Sequence, residues 1–114
     1  MIDDDLPTQL RISAQIRIAA KAGVSMIVVH KGNAESGTIY LKFNTLNGQA
    51  QILSQIRLEQ RLVWMNVTDA PMREKEADAY LAQQLDFDPD LWIIEIEDKQ
   101  GRHWFPEPIV TNTM

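Results

Sequence analysis

Between residues 25 and 67 the chain is written largely in period two, and that rhythm commits most of it to a β-sheet. Residues 25–30 form an apolar run rich in β-branched side chains. After the polar, glycine-bearing loop of residues 31–37 comes a strict alternation that puts Ile39, Leu41 and Phe43 on one face. A hairpin between these two runs is expected. The Asn47-Gly48 pair marks the next turn. As a two-residue type I′ turn it sets Leu46 against Gln49, Phe43 against Ile52 and Ile39 against Ile56, gathering the apolar residues of both strands on one face; a three-residue loop sets Phe43 opposite Gln51 instead. Burial of one face favours the first register. Residues 61–67 give a fourth strand, with Leu62 and Trp64 on one side and Val63, Met65 and Val67 on the other, the pattern of a central strand covered on both faces.

Two helices frame this region. Leu10 and Ile12 alternate with Gln9 and Arg11 as a short first strand, after which Ser13 can cap a helix running to Ala22 with Gly23 just beyond, its Ile16, Ala19 and Ala20 facing the core. A helix starting at Thr8 absorbs the same apolar residues, and the period alone does not separate the two. Farther on, Thr68 or Asp69 can cap a helix with Pro71 in its first turn and Ala77, Tyr80, Leu81, Gln84 and Leu85 on its inward stripe. Pro89 ends it, because a proline disfavours helical geometry at the residue before it. Residues 91–98 read as a strand that turns at Lys99-Gln100-Gly101 into residues 102–105, with Ile96 facing Trp104.

The function classes left open are few. Sixteen acidic against eleven basic residues give a formal net charge of -5, the wrong sign for a chain that binds nucleic-acid phosphates. Without cysteine there are no disulfides, thiolate zinc sites or thiol catalysis. The acidic start Asp3-Asp4-Asp5 is unlike a secretory or mitochondrial leader, and no apolar run approaches a membrane span, so a cytoplasmic protein without membrane or nucleic-acid partners is expected. At 114 residues it should be one domain over residues 1–114, with mobile ends at about 1–7 and 107–114.

Candidate chemistry concentrates near the C-terminal hairpin. In the register above Glu97 falls opposite His103, with Glu95 about 7 Å along the same face by the rise per residue. Two carboxylates and an imidazole could hold a metal or divide acid and base roles, whereas a solvated strand face with a cross-strand charge pair needs neither. The second reading is the commoner. No metal or cofactor is expected. His30, at the end of an apolar strand, suits a hydrogen-bonded edge residue better than a ligand. Gly32 and Gly37 imitate a phosphate-binding loop, yet no Lys-Ser or Lys-Thr follows and the loop leads into a strand, so that reading fails. Arg17 and Lys21 share a helix face that could take an anion. Trp64, Trp92 and Trp104 lie on strands with no basic stripe between them, which points to core or partner surface and away from base stacking.

The segment Phe87-Asp88-Pro89-Asp90-Leu91-Trp92-Ile93-Ile94-Glu95-Ile96-Glu97, together with Ser13-Ala14-Gln15-Ile16-Arg17, Gly23, Lys31-Gly32-Asn33 and Gly37, resembles the family catalogued as domain of unknown function 1491. These are small bacterial proteins, mainly of alphaproteobacteria, and the resemblance spans roughly residues 8–98. It implies a compact αβ domain and no particular activity. The residues themselves give an α+β domain: a mostly antiparallel sheet of five to six strands covered by two helices, mixed if the first two strands pair in parallel through the first helix. The functional expectation is a non-enzymatic interaction module, in one form self-associating, with Arg17, Asp88, Asp90, Trp92, Glu95, Glu97 and His103 as its candidate surface. The alternative is a small-molecule or metal-dependent hydrolytic enzyme that uses Glu95, Glu97 and His103.

Overall fold

The computed structural model describes residues 6–110 and confirms the α+β class with a mixed sheet. In chain order the elements are α1 (Thr8–Lys21), β1 (Ser25–His30), β2 (Ile39–Asn44), β3 (Gln49–Leu58), β4 (Arg61–Asn66), β5 (Met72–Arg73), α2 (Glu74–Phe87), β6 (Trp92–Glu97) and β7 (Ile109–Val110). The sheet runs β1-β6-β2-β3-β4-β7, with the two-residue β5 paired to β3. Most pairings are antiparallel. The parallel ones are β2 with β6 and β4 with β7, not a pair joined through the first helix.

Both faces of the sheet are covered, and this decides which expectations hold. Ile39, Leu41 and Phe43 of β2 pack with Trp92, Ile94 and Ile96 of β6 on the α1 side. Ala50, Ile52, Leu91 and Ile93 pack with Ala77 and Leu81 on the α2 side. Because Ile52 belongs to the second core, gathering every apolar residue on one face does not fix the register. Phe43 stands opposite Gln51, as the longer loop requires, and not opposite Ile52. The two-residue loop with left-handed geometry at both positions lies at Glu59-Gln60 between β3 and β4 (φ 51 and 69). At the Asn47 turn the side chain of Asn47 accepts from the Gln49 amide at 3.1 Å and organises the wider loop locally.

The expected β1–β2 hairpin is absent: β6 inserts between them, antiparallel to β1 and parallel to β2. The physical reason is hydrophobicity. Residues 91–94 are all buried and apolar, so β6 takes the doubly covered position, while β1 is left at the edge. The fourth strand is likewise not central, having only the two-residue β7 on its outer side.

Helix α1 begins at Thr8, so the short first strand does not form. Its first amides donate to loop carbonyls, Thr8 to Glu35 at 3.1 Å and Gln9 to Ala34 at 2.9 Å, a cap supplied from far along the chain. Ala19 is buried on its inner face, whereas Ala20 is exposed. Helix α2 starts at Glu74 instead of beside Asp69, because Met72-Arg73 first pairs with β3 and the Glu76 side chain accepts from the Arg73 amide at 3.3 Å. Its stripe is as expected: Ala77 and Leu81 are buried, and Tyr80, Gln84 and Leu85 partly so. Residues 102–105 form no strand, since both edges of β6 are already taken. The tail expected to be mobile from residue 107 instead docks as far as residue 110: Trp64 Nε1 donates to the buried Glu107 at 3.2 Å, and β7 pairs with β4.

Candidate functional site

The corner between α2 and β6 gathers the residues of the most distinctive sequence segment. Asp88 leaves the helix in extended geometry (φ -145, ψ 93), as the following proline demands, and its carboxylate accepts from the Asp90 amide at 3.0 Å. The loop of residues 31–38 lies directly on this corner. Asn33 N–H donates to the Asp90 carbonyl at 2.8 Å, and the Trp92 indole donates to the Asn33 carbonyl at 2.8 Å. His30 Nδ1 donates to the Leu91 carbonyl at 2.9 Å, making it the hydrogen-bonded edge residue its position suggests. Here the two glycines find their reason. A Cβ on Gly32 would collide with the backbone of Asp90 and Leu91, and one on Gly37 with the Asp90 carbonyl and the Trp92 indole. They serve backbone approach, and phosphate has no part in it.

Glu95 lies on the α2 side in a different company from the one expected. Its carboxylate is 3.5 Å from Lys42 Nζ, which also meets Glu74 at 2.9 Å and Asp78 at 2.7 Å, while Asn44 Nδ2 donates to Glu74 at 3.2 Å. The group sits in a cleft of about 380 Å³ between α2 and the sheet, walled on its apolar side by Val29, Leu81, Leu85 and Ile93. Burial draws the Lys42 ammonium down, but its hydrogen bonds to Asp78 and Glu74 outweigh this and hold its pKa above the ordinary lysine value. A lysine so firmly protonated is no nucleophile or base. One cation among three carboxylates makes this an electrostatic clamp between helix and sheet.

Glu97 and His103 do not join Glu95. Glu97 is exposed and in register with Ser25 and Asn44, whereas His103 lies on the α1 side, its ring 6.3 Å from that of Trp64. The sheet separates the acid from the imidazole. Among the described residues no group of three or more His, Cys, Asp or Glu could hold a metal. Nor is any helix there long and apolar enough to cross a membrane. Arg17 and Lys21 remain exposed on α1.

Two titrating groups near this turn shape the acid response. Burial lowers the His103 pKa below the usual histidine value. The Arg102 guanidinium, followed by the Gln100 amide and the Trp104 indole, holds Asp98 down to about 2. Both groups bind fewer protons folded than unfolded, so their stabilisation is complete at high pH and is lost on acidification. For His103 the loss begins below about pH 6.5, and for Asp98 it runs from about pH 4 to pH 2. Thermal melts from pH 8 to pH 3 should therefore show a first decline below pH 6.5 that His103→Gln flattens; an unchanged first decline in the variant would exclude His103 as its source.

The sequence pattern of the family described as protein of unknown function DUF1491 matches residues 6–106. The chain belongs to this family. A crystal structure of a DUF1491 protein from Caulobacter crescentus CB15 is 33% identical, covers 93% of this chain and 98% of its own, and superposes with a TM-score of 0.81. An NMR structure of a DUF1491 protein from the same organism gives 32% identity and the same TM-score. Protein Atu0922 from A. tumefaciens, at 24% identity over 82% of this chain and 86% of its own, shares the fold with a TM-score of 0.71. No curated protein matches the chain.

Sequence reasoning missed two features of this DUF1491 chain. Lys42 looks solvated by alternation, being opposite in phase to Leu41 and Phe43, and only the docking of α2 on that face buries it to 3% exposure. The second is the outer edge of β1. There Ile27, Val28 and Val29 are 54, 41 and 54% exposed, although an apolar β-branched run reads as interior. The missing signal was competition: β6 is the more apolar strand and claims the centre.

Proposed function

We propose that this DUF1491 protein is a small, non-enzymatic interaction module of the cytoplasm that self-associates through the edge strand β1. The observation that carries this reading is an edge strand whose three central residues are large, β-branched and solvent-exposed, with no charge among residues 25–29. Exposed sheet edges are ordinarily blunted by lysine, proline or a covering loop, because their free N–H and C=O groups template further pairing.

A second copy fits this edge by symmetry. Antiparallel pairing across a two-fold axis at Val28 sets Val28 against Val28 of the second copy and Ile27 against its Val29, covering the exposed side chains with no like-charge contact. The hydrolytic alternative has lost its support, because Glu95 and His103 lie on opposite sides of the sheet.

Sedimentation velocity over a concentration series should show a monomer–dimer equilibrium. Val28→Lys places two ammonium groups face to face on the axis, where like charges cost several kcal/mol, and should weaken the dimer about a hundredfold or more while leaving the circular dichroism spectrum and melting of the monomer unchanged. A wild-type chain that stays monomeric at every concentration, or a Val28→Lys dimer of wild-type strength, overturns the reading.

A further inference from the structure

On the α1 side, away from β1, a polar cleft of about 250 Å³ opens between the start of α1, the loop at residues 35–38 and the β3–β4 hairpin. Thr8, Arg11, Ser36, Gln55, Arg57 and Leu62 are among the residues that line it. Its deepest polar group is Gln55, only 7% exposed. The Gln55 Oε1 accepts from Arg11 Nη2 at 3.1 Å, and this bond fixes the amide so that oxygen faces the guanidinium. The Gln55 Nε2 is left buried with no hydrogen-bond partner among the described residues.

A buried amide N–H₂ without an acceptor is costly, and native proteins retain such groups where a ligand or water completes them. Within a cleft this size, the missing partner is an acceptor brought from outside. The lining charges indicate its kind. Arg11 and Arg57 contribute two positive charges and Glu35 one negative, a surplus of one. Glu107 meets Arg11 at 3.8 Å but is not part of this lining, so the guanidinium is anchored and pre-oriented. A singly charged oxyanion suits such a site better than a doubly charged one, and Ile56 and Leu62 offer an apolar wall for the body that carries it.

We infer that this cleft binds a small monocarboxylate, its oxygens taking the hydrogen bond of Gln55 Nε2 and the charge of Arg57. The inference is independent of the β1 dimer, which uses the other end of the sheet.

The test uses the intact chain, labelled with ¹⁵N, and follows the Gln55 side-chain amide pair by NMR during titration with sodium benzoate and, separately, with inorganic phosphate at constant ionic strength. Benzoate should shift those two signals saturably and bind about tenfold more tightly than phosphate. Gln55→Glu retains an oxygen facing Arg11 and replaces the donor with an acceptor, so it should abolish benzoate binding while the protein stays folded by circular dichroism. Arg57→Gln, at an exposed position, should weaken benzoate several-fold without touching the fold. No saturable shift at tens of millimolar benzoate, undiminished binding in Gln55→Glu, or phosphate binding as tight as benzoate would each overturn the inference.

Discussion

Trp92→Ala should cost about 3–5 kcal/mol of folding stability, the range for removing a large aromatic side chain from a core. Three separate losses add at this one position. The indole is 2% exposed and packs in the larger core with Ile94 and Ile96, so its removal leaves a void at the centre of the sheet. Its Nε1–H holds the Asn33 carbonyl at 2.8 Å, fixing the loop that also caps α1. Gly37 has been kept free of a Cβ to accommodate the ring, so the loop has no side chain with which to fill the void. Against a typical stability of about 5–15 kcal/mol for a domain, the variant should be marginal or unfolded at 37 °C. The neighbouring carboxylates should behave differently. Asp88→Asn preserves an oxygen for the Asp90 amide, and Asp90 is exposed, so each asparagine variant should stay within about 0.5 kcal/mol of wild type. Urea melts of the three variants decide the matter: a Trp92→Ala variant within 1 kcal/mol of wild type, by the scale of surface substitutions, would mean the corner is not structural.

The same corner shows what a sequence can and cannot disclose. Everything set by neighbouring residues was legible: the helix stop before Pro89, the strand beginning near Trp92, the face shared by Trp92, Ile94 and Ile96, and the turn from Asp98 to the left-handed Gly101 (φ 69). What depended on distant partners was not. Gly32 and Gly37 carry no local sign that the chain of residues 90–92 will press against them, and the cap of α1 comes from carbonyls of residues 34 and 35. The candidate site failed for the same reason. Placing His103 opposite Glu97 assumed that neighbours in sequence pair in the sheet, whereas β6 found both its partners elsewhere and left residues 102–105 outside the sheet. Strand order is a contest among all apolar segments, and period two reports only the rhythm of each contestant.

Lys42→Met should cost about 3 kcal/mol at neutral pH, the lower end of the range for breaking a buried ion pair by removing one partner. The lower end applies because the three acids are not equally trapped. Glu74 and Asp78 are 39 and 59% exposed and can turn toward water, losing little of their solvation. Glu95 is 16% exposed on a central strand and has only Asn44 Nδ2, at 3.4 Å, to replace the ammonium. The penalty is thus chiefly that of one carboxylate left in a low-dielectric cleft beside two others of like charge. Methionine fills nearly the same volume as the lysine stem, so packing loss should be minor. The argument carries a sign that separates it from a packing defect. An orphaned carboxylate ceases to be costly once protonated, so the stability difference between wild type and variant should shrink as pH falls below about 4, while a cavity or misfit would persist unchanged. Adding Glu95→Gln to the variant should recover about half or more of the loss at pH 7, since the neutral amide removes the stranded charge and still accepts from Asn44. A double variant no more stable than Lys42→Met, together with a difference that does not vary with pH, would show that the lysine is held by packing and that the clamp between α2 and the sheet is not electrostatic.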